Sequence, residues 1–159
     1  MAQYEIQTLS GRLTIELYQL DGQLISSITQ TNLITNAGKN VVAQLFIGAI
    51  EGKADMSIAV GDSNVSVAVQ DTALGHQLDE ASVAISAINS AIVDGISRAA
   101  VKLSAAFPAL ESGKSQTLRE AGVIMRFSNR EPVLYNHVNF ADITRTDNVQ
   151  MTLTWEVLF

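Results

Sequence analysis

The chain of 159 residues contains no cysteine. This absence excludes disulfides and thiolate metal sites, and it leaves the redox compartment undetermined. No segment is long and apolar enough to span a bilayer, and the N-terminal stretch MAQYEIQTLSGRL lacks the basic flank and apolar run of a signal peptide. We therefore expect synthesis in the cytosol without a leader, and no membrane association.

Charge is also scarce. Charged residues form 16% of the chain, where soluble domains average about 25%. The formal net charge is −6 and the 10 Lys and Arg residues are scattered, so no basic stripe is present to neutralise successive phosphates. Nucleic acid is not expected as a partner. The composition favours a surface that faces other protein subunits, with a weakly charged monomer as the alternative.

The length suits one domain over residues 1–159, and two segments have the clear alternation of half-buried β-strands. The first is Arg12–Leu20, which is followed at once by Asp21-Gly22, a pair typical of hairpin turns. The stretch QLISSITQT should then return antiparallel to it. The second segment is Val149–Phe159, whose apolar residues alternate with polar ones to the end of the chain, so one of its faces must be buried.

A helix is predicted after this first hairpin, in TNAGKNVVAQLFIGAI. Thr35 or Asn36 can cap its start. Its apolar residues lie on one face at helical spacing, and they are Val41, Val42, Leu45, Phe46 and Ala49.

The middle of the chain gives weaker signals. Met56–Val60 is an apolar run typical of a strand, and Gly61–Asn64 forms a turn. The following VSVAVQ fits a strand or an extended loop. Asp71-Thr72 can cap a short helical turn over Ala73–Leu78.

The remaining segments favour strands. Ser82–Val93 fits both a helix and a strand, and its many β-branched residues favour the strand. Val101–Phe107 alternates, and TLREAGVIMRF and VLYNHVNF flank a polar turn at Ser128–Glu131, which predicts a second hairpin. The expected fold is mainly β: an antiparallel β-sandwich-like domain with one or two short α-helices.

Gly61-Asp62-Ser63 follows an apolar run, as the nucleophile does in GDSL-type hydrolases. Such a serine needs a strand-to-helix turn and a base, supplied by a His with an Asp three residues before it. Here Ser63 precedes NVSVAVQ, and Leu134 stands three residues before His137. The pattern favours a tight turn stabilised by local hydrogen bonds, and we expect no catalytic residues.

No metal or cofactor site is predicted either. His76 and His137 lack partners at metal-ligand spacing, and alternation in YNHVNF can place His137 on the outer face of a strand. A loose group of carboxylates lacks the order of a calcium loop, and capping and solvation account for its members, Asp62, Asp71, Asp79 and Glu80.

The aromatic residues allow two interpretations. Trp155 shares a strand face with Met151, Leu153 and Val157, which favours packing in the core or at an interface. The alternative is a platform on which a sugar stacks. Its other members would be Tyr18, Tyr135, Phe140 and Phe159.

Several short motifs, in their order, resemble a group of small bacteriophage tail and baseplate structural proteins. The motifs are NLITNAGKN (32–40), IAVGDS (58–63), QDTAL (70–74), LREAGVIM (118–125) and LTWEVLF (153–159). The chain departs from that group after the VG, where NVSVAV replaces a Gly- or Pro-rich stretch. It departs again at Gln77, where an acidic residue is expected.

The resemblance implies a β-rich subunit of a phage tail, baseplate, tail fibre or related contractile particle, located in the virion and docked to other tail proteins, with no catalytic residues to transfer. A receptor- or glycan-binding module at a tail tip, or a capsid decoration protein, is the alternative. Because such particles have rotational symmetry, we expect a homo-oligomer, a trimer in a fibre or a hexamer on the tail axis.

Overall fold

A computed structural model of the chain describes residues 9–159, with the backbone alone for residues 87–89. Residues 1–8, which begin the stretch from which we expect no leader, lie outside the described residues, as do the side chains of residues 87–89 in the Ser82–Val93 segment. The elements in chain order are β1 (Ser10–Gln19), β2 (Leu24–Thr31), β3 (Leu33–Ile34), α1 (Asn36–Phe46), β4 (Asp55–Gly61), β5 (Gln77–Ser82), β6 (Ala84–Val93), β7 (Ile96–Phe107), β8 (Ser115–Arg126), β9 (Val133–Leu134), β10 (Asn136–Thr146) and β11 (Val149–Leu158).

The strands form two antiparallel sheets that pack against each other. The five-stranded sheet has the order β2-β1-β11-β7-β6, and the other has the order β3-β10-β8-β4-β5, with β9 also paired to β8. Apolar side chains of both sheets meet in one core cluster, in which Leu13 and Leu153 come from the first sheet and Ile58 and Val123 from the second. The expected β-sandwich-like fold is confirmed.

The C-terminal strand β11 is the centre of the five-stranded sheet. It pairs with β1 on one side and with β7 on the other, so that Trp155 lies between Leu13 and Leu103. The predicted apolar face is buried from Met151 to Val157, with Trp155 completely inaccessible. Phe159 lies just beyond the strand and is exposed.

The hairpin predicted at Asp21-Gly22 joins β1 to β2. Gly22 has a φ of +89°, and the backbone of Gln19 bonds that of Gln23 across the turn. A left-handed residue at this point suits glycine because it has no Cβ to clash with the backbone.

The predicted helix is α1, and Thr35 is its cap. The Thr35 hydroxyl accepts the N–H of Gly38 at 2.9 Å and donates to the carbonyl of Leu134 at 2.6 Å. Val41 is buried and Phe46 is 91% exposed. Ala49, which was predicted on the same helix face, lies beyond the end of the helix. The helix packs through its first turns, where Gly38 lies against the backbone of Tyr135, and it ends at Phe46.

The structure decides three predictions for the middle of the chain. The helical turn expected over Ala73–Leu78 is wrong, because residues 62–76 form a loop and Gln77 already begins β5. Of the two alternatives for VSVAVQ, the extended loop is therefore the one observed. Ser82–Val93 is extended as favoured, ending β5 and forming β6.

The second predicted hairpin is also present. Strand β8 turns at residues 128–130 and pairs with β9, Ile124 opposite Leu134, before β10 continues along the same side of β8. Within residues 9–159, the structure contains no helix long and apolar enough to cross a membrane.

Candidate functional site

The turn that follows β4 brings distant polar residues together. A Cβ atom at Gly61 would lie 2.2 Å from the carbonyl oxygen of His76 and 2.5 Å from Oε1 of Glu120, so the close approach requires glycine. The amide of Asp62 then donates to the carbonyl of His76 at 3.2 Å. Ser63 is thereby held beside β8 and the start of β5.

Glu120 is a buried carboxylate that holds the two ends of the loop 62–76. Its Oε1 accepts the N–H of Ser63 at 3.3 Å and of His76 at 2.8 Å, and its Oε2 accepts the N–H of Gly75 at 2.9 Å. Only 1% of the residue is exposed. Backbone N–H groups that would otherwise lack partners are satisfied in this way, which is the requirement for burying such a loop.

His137 lies between two carboxylates. Its Nε2 is 2.8 Å from Oε2 of Glu120, and its Nδ1 is 2.8 Å from Oδ2 of Asp71. Two ionised carboxylates can both accept from one imidazole only when each ring nitrogen carries a proton. His137 lies on the face of β10 opposite to the core residue Val138, as the alternation predicts, but it is not at the surface, because the loop 62–76 covers it and only 4% of it is exposed.

Asp71 closes this network from the loop side. Burial raises the pKa of its carboxyl group. The hydrogen bonds from the N–H of Ala68, at 2.8 Å, and from the ring of His137 lower the pKa by more than burial raises it, so the pKa of Asp71 lies below its usual value. The carboxylate of Asp71 therefore bonds both its own loop and β10.

Among the residues that the structure describes, the Ser63 hydroxyl has no free base beside it. Its oxygen accepts the N–H of Val65 at 3.3 Å, and both nitrogens of the nearby His137 already face carboxylates. The cavity that Ser63 and His137 line has a volume of about 70 Å³.

The other carboxylates of this region are also paired, so solvation and capping do not account for them as expected. Asp62 contacts the exposed His76 ring at 2.6 Å. Asp79 contacts the buried Arg145 at 2.7 Å, and this guanidinium also donates to the carbonyl of Pro108 at 2.6 Å. The first pair joins the two ends of the loop 62–76, and the second joins residues that are 66 positions apart in the sequence.

Glu80 forms the last of these pairs. It contacts Arg126 and accepts from the hydroxyl of Ser57 and, at 3.0 Å, from the side-chain amide of Gln77. Burial raises the pKa of Glu80, and the hydrogen bonds from Arg126, Ser57 and Gln77 lower it below the usual value. These contacts tie β5 to β4 and β8.

The aromatic residues proposed as a sugar platform are not gathered on one surface. Trp155 and Tyr135 are buried, and the Tyr135 hydroxyl has no hydrogen-bond partner among the described residues. Burial raises the pKa of Tyr135 to about 12. Tyr18, on β1, donates to Glu16 at 2.8 Å, whereas Phe140 belongs to β10 in the other sheet.

The network was not predicted, because no pattern in the sequence indicates that Glu120 contacts His137. Glu120 alternates with Ala121, which faces the core, so its carboxylate lies on the opposite face of β8, where the loop 62–76 covers it. A buried carboxylate requires a partner. Within the described residues, no three His, Asp or Glu side chains are arranged to hold a metal ion.

The two outer strands of the five-stranded sheet, β2 and β6, are a second candidate. Within residues 9–159, no strand pairs with their outer sides, which we call the free edges. β2 and β6 are eight and ten residues long, and neither contains a charged residue or proline. The edges of the other sheet differ, since β5 carries Asp79 and Glu80, and β3 has two residues. Charged side chains and short length are devices that prevent edge strands from pairing with other chains. Only the second sheet uses them.

Large apolar side chains are exposed near these free edges. Leu20, Leu24 and Ile25 lie at the β1–β2 turn, and Ile92 and Ile96 flank the β6–β7 turn. A further exposed group occurs at the end of α1 and consists of Leu45, Phe46 and Ile47. Clustered exposed apolar residues are typical of surfaces that contact other proteins.

Comparisons of the chain with protein-family models, curated proteins and solved structures gave no match.

Proposed function

We propose that this protein is a structural subunit of a bacteriophage or phage-like contractile particle, in the tail, baseplate or a fibre. It acts by self-assembly and by docking to neighbouring particle proteins. The observation that carries the assembly role is the pair of long, uncharged free edges on the five-stranded sheet.

Three further features support an assembly role. The chain has few charges, its exposed apolar residues lie near the free edges, and the polar residues around Ser63 are engaged in holding a loop. The assignment to a phage-like particle rests on the motifs of the sequence, from NLITNAGKN to LTWEVLF. The aromatic residues are dispersed or buried, which weighs against a glycan-binding module.

Light scattering of the purified protein at low and high salt tests the assembly role. We expect a homo-oligomer whose mass is unchanged by salt, because contacts with so few charges are apolar and hydrogen-bonded and are not screened. Mass spectrometry of particles purified from the source tests the assignment to a particle, in which the chain should be present. A protein that is monomeric at all concentrations and absent from particles would contradict the proposal.

A further inference from the structure

Alternate residues of β2 direct their backbone groups away from the sheet. The amide of Asn32 bonds the carbonyl of Gly11 at 3.1 Å, which marks this pair as hydrogen-bonded. Since bonded and non-bonded pairs alternate in an antiparallel ladder, the bonded residues of β2 are Ser26, Ile28 and Gln30. The N–H and C=O groups of the other three residues in this stretch, Ser27, Thr29 and Thr31, therefore point outward from the edge.

The side chains of these three residues lie on the outer face. Their neighbours on β2 stand opposite the buried Leu13 and Ile15, so the hydroxyl-bearing residues face away from the core. Thr29 lies 3.3 Å from the hydroxyl of Thr14. The outward edge thus offers backbone groups that have no partner among residues 9–159, flanked by small, uncharged side chains.

We propose that two copies of the chain join along β2, antiparallel and related by a two-fold axis, so that two five-stranded sheets become one continuous sheet. This inference rests on the proposed function, because it names the surface and the partner of the self-assembly.

The bulge and the outward-pointing residues of β2 determine which residues pair across this contact. β2 contains a bulge at Ile25, because Leu17 pairs with Ser26 and Tyr18 pairs with Leu24. With the axis at Thr29, Thr29 pairs with its own copy and Ser27 pairs with Thr31 on both sides. These three pairs avoid the bulge and supply about six hydrogen bonds, two for each bonded pair.

Strand direction favours this dimer over a ring. Every contact in the sheet β2-β1-β11-β7-β6 is antiparallel, so the two edge strands run in the same direction. A ring contact between β2 of one copy and β6 of the next would be parallel, and parallel pairing is slightly less stable per residue. The absence of charge on β2 means that self-pairing brings no like charges together.

A lysine at the axis tests the contact. Thr29→Lys places two ammonium groups directly opposite each other, and we expect sedimentation to show loss of the dimer. Thr29→Val retains the branched, uncharged side chain and should remain dimeric. Ser90→Lys places the same charge on the exposed part of β6, the other free edge, and should also remain dimeric. Circular dichroism verifies that all three variants are folded.

Amide hydrogen exchange gives a second readout for each residue. In the dimer, the amides of Ser27 and Thr31 should exchange slowly, and they should exchange rapidly in Thr29→Lys. The amides of Ile28 and Gln30, which bond β1, should be protected in both proteins.

The outcomes separate this inference from the proposed function. An oligomer that persists in Thr29→Lys, with Ser27 and Thr31 exchanging rapidly, overturns the β2 contact and leaves the assembly role in place. Loss of the oligomer in Ser90→Lys as well as in Thr29→Lys indicates a ring through both edges and overturns the two-fold dimer. A monomer at all concentrations also overturns the β2 contact, and detection in purified particles then decides the proposed function separately.

Discussion

The indole N–H of Trp155 donates to Oδ1 of Asn32 at 3.0 Å. Asn32 stands between β2, which belongs to one sheet, and β3, which belongs to the other. The largest buried side chain of the core therefore fixes the point at which the chain passes between the sheets.

Replacement of Trp155 tests this role. Trp155→Ala should lower the free energy of unfolding by about 3–5 kcal/mol, the usual cost of deleting a buried large aromatic side chain. Trp155→Phe retains part of the ring and loses the bond to Asn32, so its loss should be smaller. Denaturant unfolding measures both variants, and an unchanged midpoint for Trp155→Ala would contradict burial of the ring.

The hairpin turn gives a prediction about backbone conformation. Apart from the adjacent residues of the chain, no atom lies within 4 Å of the position that a Cβ would take at Gly22. The φ of +89° therefore determines how much a substitution there lowers the stability. Gly22→Val should cost about 1–3 kcal/mol of stability because a branched residue is strained in this region. Gly22→Asn is the matched control and should cost less, since asparagine tolerates positive φ. Equal stabilities for the two variants would contradict the turn geometry.

The buried carboxylate of Glu120 should be important for stability. Glu120→Ala leaves three backbone N–H groups and His137 without their acceptor, and breaking a buried pair costs about 3–5 kcal/mol. Glu131→Ala, at an exposed position, should change stability by less than about 0.5 kcal/mol. Urea unfolding measures the free energy of unfolding of both variants. Similar losses of stability would show that the buried carboxylate contributes no more to stability than an exposed one.

Acid should weaken the contact between Asp71 and His137. The pKa of Asp71 is lower in the folded chain than the unfolded value of about 3.9, so its contribution to stability is complete above that pH and is lost as the pH falls through the folded pKa. Asp71→Asn should be less stable at neutral pH and should lose less stability below about pH 4. Urea midpoints over a pH series measure this, and parallel curves for the two proteins would contradict it.

Ser63 provides a test of chemistry. Because both nitrogens of His137 are engaged by carboxylates, the purified protein should not turn over activated esters, and Ser63→Ala should fold normally. A chromogenic ester assay and thermal unfolding are sufficient. Ester turnover that disappears in Ser63→Ala would show that a base reaches this hydroxyl.

Local signals in the sequence predicted the parts of the fold that local physics determines. Asp21-Gly22 identified the turn, Thr35 identified the start of α1, and the alternation from Met151 to Val157 identified the buried face of β11. In each case the determining interaction lies within a few residues, so it can be recognised from the pattern alone.

The features missed depend on contacts between distant segments. Asp71 and His137 are separated by 66 residues, and no spacing rule predicts that they meet. The helical turn over Ala73–Leu78 was predicted from the cap at Asp71-Thr72, but the amides of Gly75 and His76 bond Glu120.

The contacts of Glu120 have a consequence for the tolerance of the loop to insertions. In a chain without cysteine, this carboxylate is a non-covalent cross-link, because it joins the amide of Ser63 to those of Gly75 and His76. The hydrogen bonds to Glu120 therefore offset the entropic cost of bringing the two ends of the loop together. Doubling the length of a loop raises that entropic cost by only about 0.6 kcal/mol. The exposed stretch around Val65 is thus a place where the chain can be lengthened while both sheets keep their registers.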